Sequence, residues 1–292
     1  MTLARVLVYP ALLLGALLLL AVLLAVGVSL SAAPYIAALV AGASLLAIER
    51  LLPYRRDWQP VAAELADDSL FLVSVQLALP LGLMWLTAWG MQRTLGGAGV
   101  VLELWPQHWP IAAQLVAKIV LGDFLRYWLH RAAHTWTPLW RLHAVHHQPE
   151  KLYTTNVFRF HPLEKALQFL CDTLPFVLVG IGPEVLAYYF VFYSVSGLLQ
   201  HCDCDLKLGW LNYLVSGPEV HRWHHSRRVA ESNHNYAHSF VVWDLLFGTY
   251  FRPRNAEVDR LGLAARDYPR RFLPQLGAPF VARAPVGGDD TA

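Results

Sequence analysis

From Val6 to Ile48 the chain carries no charged residue. As helix, these forty-three residues would run about 65 Å, twice the roughly 30 Å hydrocarbon core of a bilayer. The segment is too long for one crossing, and the Ser29 to Pro34 stretch supplies a turn, predicting spans near 7–28 and 34–52. A cleaved signal peptide is the rival reading, but its apolar region is usually only about 7–15 residues. The whole chain is 56% hydrophobic and 15% charged, against about 25% charged in an ordinary soluble domain. It reads as a membrane protein.

Further apolar segments at 69–91 and 109–129 predict two more crossings. A last one, 166–200, is broken by Pro175, Gly180, Gly182 and Pro183 and reads as a hairpin of two short crossings or a shallower re-entrant pair. Basic residues orient the set. Arg50, Arg55 and Arg56 lie in one loop, and Arg131, Arg141, Lys151, Arg159 and Lys165 in another; the 92–108 loop has only Arg93. With the amino end inside, every basic loop is cytoplasmic, and every histidine except His108 faces the cytoplasm. A net charge of +2 without a basic run argues against a nucleic-acid partner. Three cysteines cannot form a complete disulfide framework, which suits a reducing, cytoplasm-facing location.

Ten of the thirteen histidines fall within residues 130–147 and 221–238. Even scatter would leave fewer than two there. The first window holds His130 and His134, then His143, His146 and His147; the second opens with His221, His224 and His225; His201 stands alone after the hairpin. Residues three and four apart on a helix share a face. The HxxxH pair gives a face of two, each HxxHH a face of three, and with His201 the total is nine imidazoles. That is too many for one ion and suits two. No HExxH supplies the general base of a zinc protease, and no GxGxxG follows a strand to bind a hydride carrier. A haem carrier needs paired histidines inside the spans, and a metal transporter needs ligands at mid-membrane; both remain as rival readings.

Three stretches then carry a resemblance: Asp123-Phe-Leu-Arg-Tyr-Trp-Leu-His130-Arg-Ala-Ala-His134, His143-Ala-Val-His146-His147, and His221-Arg-Trp-His224-His225-Ser226. Asn156 to Glu164, Asn235-Tyr236 and Trp243 to Thr249 add to it. The chain resembles the fatty acid hydroxylase/sterol desaturase superfamily of integral-membrane di-iron enzymes from about Glu49 to its carboxyl tail. The resemblance implies an all-α fold, a multi-pass transmembrane helical stem under a cytoplasmic histidine-rich cap. It divides the chain into a transmembrane hairpin (1–60), a catalytic domain (61–255) and an amphipathic or disordered tail (256–292). It implies two iron ions, replaceable by zinc in purified protein, on the nine histidines His130, His134, His143, His146, His147, His201, His221, His224 and His225.

Oxidation of an unactivated lipid C–H bond by dioxygen is the expected activity. Electrons would come from a separate donor such as ferredoxin or a b-type cytochrome with its reductase, and the setting would be a bacterial inner membrane. Fatty acyl, sterol, alkylglycerol and carotenoid substrates all fit, as do hydroxylation and desaturation. Some relatives carry a second histidine after the His201 position; Asp203 and Asp205 stand there instead, and His238 replaces a small residue, leaving a tenth ligand open. Thiolates oxidise beside an oxygen-activating iron, so Cys202 and Cys204 are set aside. Supporting catalytic roles are expected for Asp123, His161 and Asp244, with Glu164 a further candidate. Asp123 lies seven residues before His130, on the same face, and is expected to orient an imidazole or to pair with Arg126 or Lys118.

Overall fold

Apolar length dictates the first elements. The computed structural model describes residues 3–94, 102–254, 256–265 and 267–281. Helices α1 (Leu3–Ala25) and α2 (Ala33–Leu51) fold onto each other through a turn at Gly27, whose φ of 87° needs a residue without a Cβ. Ala16, Ala33, Ala37 and Ala41 line their buried side, so the backbones approach closely. Next come α3 (Ala62–Phe71), a π segment (Leu72–Ala78) and α4 (Leu79–Thr94). Pro80 lacks an N–H and its ring crowds the carbonyl of Gln76; the wider π turns in front of it absorb that mismatch. Leu3–Ala25, Ala33–Leu51 and Ala62–Arg93 are long and apolar enough to cross a membrane.

The expected crossing at 109–129 falls within α5 (Ile111–Thr135), which has the length but buries Lys118, Asp123 and Arg126. Helix α6 (Thr137–His147) follows after a break at Trp136. The expected hairpin is unequal. Its first arm is split into α7 (Pro162–Asp172) and α8 (Leu174–Leu178), of eleven and five residues. These rise only about 16 and 8 Å, well short of a hydrocarbon core. Its second arm, α9 (Pro183–His201), is a single helix of nineteen residues. Helix α9 packs against α1, α2 and α5, and so forms the centre of the stem.

Short elements complete the cap: α10 (Pro218–His224), α11 (Val229–Ser232), α12 (Val242–Leu246) and α13 (Phe272–Gly277). Among the described residues there are no strands, only three isolated bridges. Glu49, at the end of α2, is buried and accepts from the Thr154 N–H (2.8 Å), the Thr154 hydroxyl (2.9 Å) and the Asp203 N–H (2.7 Å). One carboxylate thus ties the amino-terminal hairpin to both loops that flank the histidines. The segment 256–281 docks on the cap: Gly262 N–H donates to the His225 carbonyl (3.2 Å), and Arg271 pairs with Asp67 at 2.8 Å. Gly262 has φ 91°, and a Cβ there would lie 3.2 Å from the Pro149 carbonyl oxygen. Residues 95–101 of the 92–108 loop and 282–292 of the expected tail lie outside the described residues.

Candidate metal centre

The nine histidines come from the ends of four helices. His130 and His134 occupy the last turns of α5, and His143, His146 and His147 the last turns of α6. His201 ends α9, while His221, His224 and His225 lie on or just after α10. They gather as two groups: five, His130, His134, His143, His147 and His224, and four, His146, His201, His221 and His225; within each, the ligand atoms lie within 4.8 Å of one another. The sequence expectation of two faces of three is corrected here. At 100° per residue, positions i and i+4 nearly align and i+3 falls to one side. Each HxxHH box therefore divides. α6 sends His143 and His147 to the first group and His146 to the second; α10 sends His221 and His225 to the second and His224 to the first.

Six Nδ1 atoms face outward onto acceptors, those of His221 and His225 are buried without a partner, and most of the Nε2 atoms face each other. His130 Nδ1 donates to the Tyr236 carbonyl (2.8 Å), His224 Nδ1 to the His234 carbonyl (2.8 Å) and His146 Nδ1 to the Arg159 carbonyl (3.3 Å). A carbonyl only accepts, so these rings carry their proton on Nδ1 and present a bare Nε2. His201 Nδ1 donates to Asn156 Oδ1 at 2.8 Å, and the Asn156 amide is oriented by its own donation to the Lys151 carbonyl. His134 Nδ1 meets Asn233 Oδ1 at 3.2 Å, and His143 Nδ1 meets Glu164 Oε1 at 2.7 Å.

Inside, His130 Nε2 is 3.0 Å from His143 Nε2, His147 Nε2 is 3.1 Å from both His143 and His224, and His221 Nε2 is 3.0 Å from His201 and 3.1 Å from His225. Neighbouring ligands at right angles around an ion about 2.1 Å from each would be separated by about 3.0 Å. The donor set and its spacing fit two metal ions.

Electrostatics agree with that fit. Burial first, and neighbouring imidazoles second, hold His143, His146, His147, His221 and His225 well below the usual histidine range. Burial lowers His224 to about 4 and His201 to about 3. All are neutral at pH 7, which is the form that ligates metal. Burial pushes Glu164 up to about 8, opposed by Arg126. Its contact with His143 is therefore a strong hydrogen bond between largely neutral partners rather than an ion pair.

Two of the expected supporting residues hold backbone instead of imidazole. Asp123 Oδ2 accepts from the Ser239 and Phe240 N–H groups at 3.1 and 2.8 Å, and pairs with neither Arg126 nor Lys118. His161 caps α7 by accepting from the Leu163 N–H and docks the tail through the Leu276 carbonyl. Asp244 acts at one remove: it accepts from the Tyr236 and Ala237 N–H groups at 2.8 and 2.9 Å, fixing the peptide whose carbonyl holds His130. Glu164 is the acid that touches an imidazole. Asp203 binds the Arg55 N–H and Gln59, Asp205 pairs with Arg5, and His238 packs on Tyr193, so none joins a group. Cys202 is buried, bonded to the Leu199 carbonyl. His108 is exposed beside Trp109.

Asn156 and Asn233 are partners that sequence reasoning missed; an asparagine beside a histidine box has no spacing that marks it. Asn156→Ala is expected to weaken metal binding at the four-histidine group by about 10–100-fold and to leave the five-histidine group unchanged. Titration against a competing chelator checks this, and equal losses at both groups would count against it.

Comparison with known proteins follows the same residues. The profile of the fatty acid hydroxylase family matches residues 115–249, which include all nine histidines. Ornithine lipid hydroxylase OlsE of Rhizobium tropici is 34% identical over 80% of this chain and 71% of its own length. The chain belongs to the fatty acid hydroxylase family. Within the family, human alkylglycerol monooxygenase is 31% identical over 44% of this chain and 28% of its own length. Very-long-chain aldehyde decarbonylase GL1-11 of Oryza sativa subsp. japonica is 31% identical over 51% and 57%. No solved structure matches this fatty acid hydroxylase-family chain.

Proposed function

We propose that the nine histidines hold two iron ions and that the chain is a membrane-bound oxygenase, hydroxylating or desaturating a lipid C–H bond. The observation that carries this is the row of Nε2 atoms 3.0–3.1 Å apart, several of them stripped of protons by outward Nδ1 bonds. That is the separation of neighbouring ligands around one ion, and a bare Nε2 lone pair is what an ion takes. Imidazole suits iron, and two of the named relatives are an ornithine lipid hydroxylase and an alkylglycerol monooxygenase. When bound, the iron pair supplies dioxygen activation and the power to break an unactivated C–H bond. Electrons come from a separate carrier, ferredoxin or a b-type cytochrome with its reductase.

The chain's own residues position and insulate. Tyr236, His234 and Arg159 carbonyls with Asn156, Asn233 and Glu164 fix ring orientation and tautomer. Both groups sit where α5 and α9 end, so a lipid lying between these helices reaches the histidines from the bilayer. The catalytic unit is taken as 61–255, anchored by the 1–60 hairpin and overlaid by 256–281.

Iron-loaded protein in lipid bilayers, given reductant and dioxygen, is expected to hold two ions per chain and to yield lipid products heavier by about 16 or lighter by about 2 mass units, as oxygen insertion or loss of two hydrogens requires. Exchangeable metal with no oxygen uptake would favour a non-catalytic metal protein. Orientation has its own test. In a cysteine-free chain, single cysteines at the exposed positions Glu150 and Ala230 are expected to label from the same, cytoplasmic, face of sealed vesicles. Labelling from opposite faces would separate the HxxHH boxes and sink the shared centre.

A further inference from the structure

One turn toward the membrane from the nine imidazoles lies a second cluster, and it is cationic. Arg126 precedes His130 by one turn on α5; Tyr193 and Gly197 precede His201 by two turns and one on α9. Three groups surround the Tyr193 ring: Arg126 at 5.7 Å, Lys165 of α7 at 5.3 Å and the His238 ring at 4.2 Å. His238 Cε1 lies 3.7 Å from where a Gly197 Cβ would stand, which seats it beside the last turns of α9.

Several polar groups of the cluster lack a partner. Arg126 is buried and makes one hydrogen bond among the described residues, from Nη1 to Asp172 Oδ2 at 3.2 Å, although a guanidinium carries five N–H groups. His238 Nε2 and the Tyr189 hydroxyl are buried without a partner. Of two nearby acids, Asp123 accepts from the Ser239 and Phe240 N–H groups through Oδ2, and Glu164 meets His143 and Gln168 through Oε1; Asp123 Oδ1 and Glu164 Oε2 are buried without a partner. A tie between α5 and α7 needs only the Arg126–Asp172 pair, and leaving the His238 and Tyr189 groups unmatched in an apolar stem is costly.

We propose that Arg126, Lys165 and His238 bind an anionic oxygen group of the lipid substrate, a carboxylate or a phosphate. This rests on the oxygenase reading and deepens it. One helical turn is about 5.4 Å, so the carbon presented to the histidines lies within a few bonds of that group rather than far along an acyl chain. Arg126 is then a specificity-determining residue.

Four twelve-carbon probes test the site on the full chain in nonionic detergent: laurate, dodecyl phosphate, dodecanol and dodecyltrimethylammonium, each titrated by calorimetry. At least one anion is expected to bind ten times or more tighter than dodecanol, as a charge-assisted pair provides, and the cation to bind more weakly. The preferred anion names the headgroup chemistry. Arg126→Met is expected to bring the anions to dodecanol's affinity while the affinity for dodecanol and the zinc content stay unchanged; Arg126→Lys should keep part of the preference, and Lys165→Met should lose part of it.

Equal binding of all four probes by the unaltered protein overturns the proposal without any variant, so a poorly folding Arg126→Met does not protect it. A preference that survives in folded Arg126→Met overturns it too. Protein that oxidises lipid but shows no anion preference sinks this site alone; protein that selects anions but oxidises nothing sinks the oxygenase reading and leaves the site standing.

Discussion

His224→Ala is expected to abolish lipid oxidation and to lower metal content from two ions per chain toward one. His224 is the residue that α10 sends across to the five-histidine group, with Nε2 3.1 Å from His147 and Nδ1 held by the His234 carbonyl. Loss of a partner behind a ligand costs about 10–100-fold in affinity or activity, and loss of the ligand itself exceeds that. His146→Ala is expected to act in the same way on the four-histidine group. His108→Ala is the control: exposed beside Trp109, it should change neither activity nor metal content. Elemental analysis with product formation checks all three. Equal damage from His108→Ala and His224→Ala would mean that the histidines have been assigned to the wrong roles.

The second large effect falls on stability, away from the histidines. Asp68 Oδ1 accepts from Arg159 Nε at 2.5 Å, and Asp68 Oδ2 from the Thr155 hydroxyl at 2.7 Å. Asp68 and Arg159 are both buried. Removing one partner strands a buried charge, so Asp68→Ala is expected to cost about 3–5 kcal/mol. Because the Arg159 carbonyl holds His146 at 3.3 Å, the same change should also weaken metal binding at the four-histidine group. The double variant Asp68→Ala/Arg159→Met should recover much of the stability, since it leaves neither charge buried alone. Thermal unfolding in detergent measures this; an Asp68→Ala protein that melts with the parent would show that the pair contributes nothing.

How much of this was legible beforehand depended on whether the signal was local. Apolar length is local, and it placed α1, α2 and the α3–α4 segment without reference to any other part of the chain. It left open how deep the 166–200 hairpin runs, and the structure divides the first arm at Thr173 and Pro175 into α7 and α8. Histidine spacing is local too, and all nine histidines singled out by it meet in the structure.

The pairing of those nine was not legible. Which ring of an HxxHH box serves which group depends on how α6 and α10 face each other, and that is settled only when α5 and α9 bring them together. The outward acceptors were hidden for a different reason. Tyr236, His234 and Arg159 act through main-chain carbonyls, and every residue has one. Two of them are aimed by Asn235, whose φ of 59° turns the chain between His234 and Tyr236 and whose side chain is tied to Val220 and Phe251. Asp123 misled because seven residues share a face but span two turns, which puts its carboxylate on the Ser239–Phe240 backbone instead of on a ring. The amino-acid sequence by itself determined the helical membrane stem and the nine-histidine donor set, since both follow from side-chain type and helical period. Only the tertiary structure decided the division into five and four, the proton position on His130, His146 and His224 and the cationic cluster beneath them, because each of these depends on atoms brought together from distant parts of the chain.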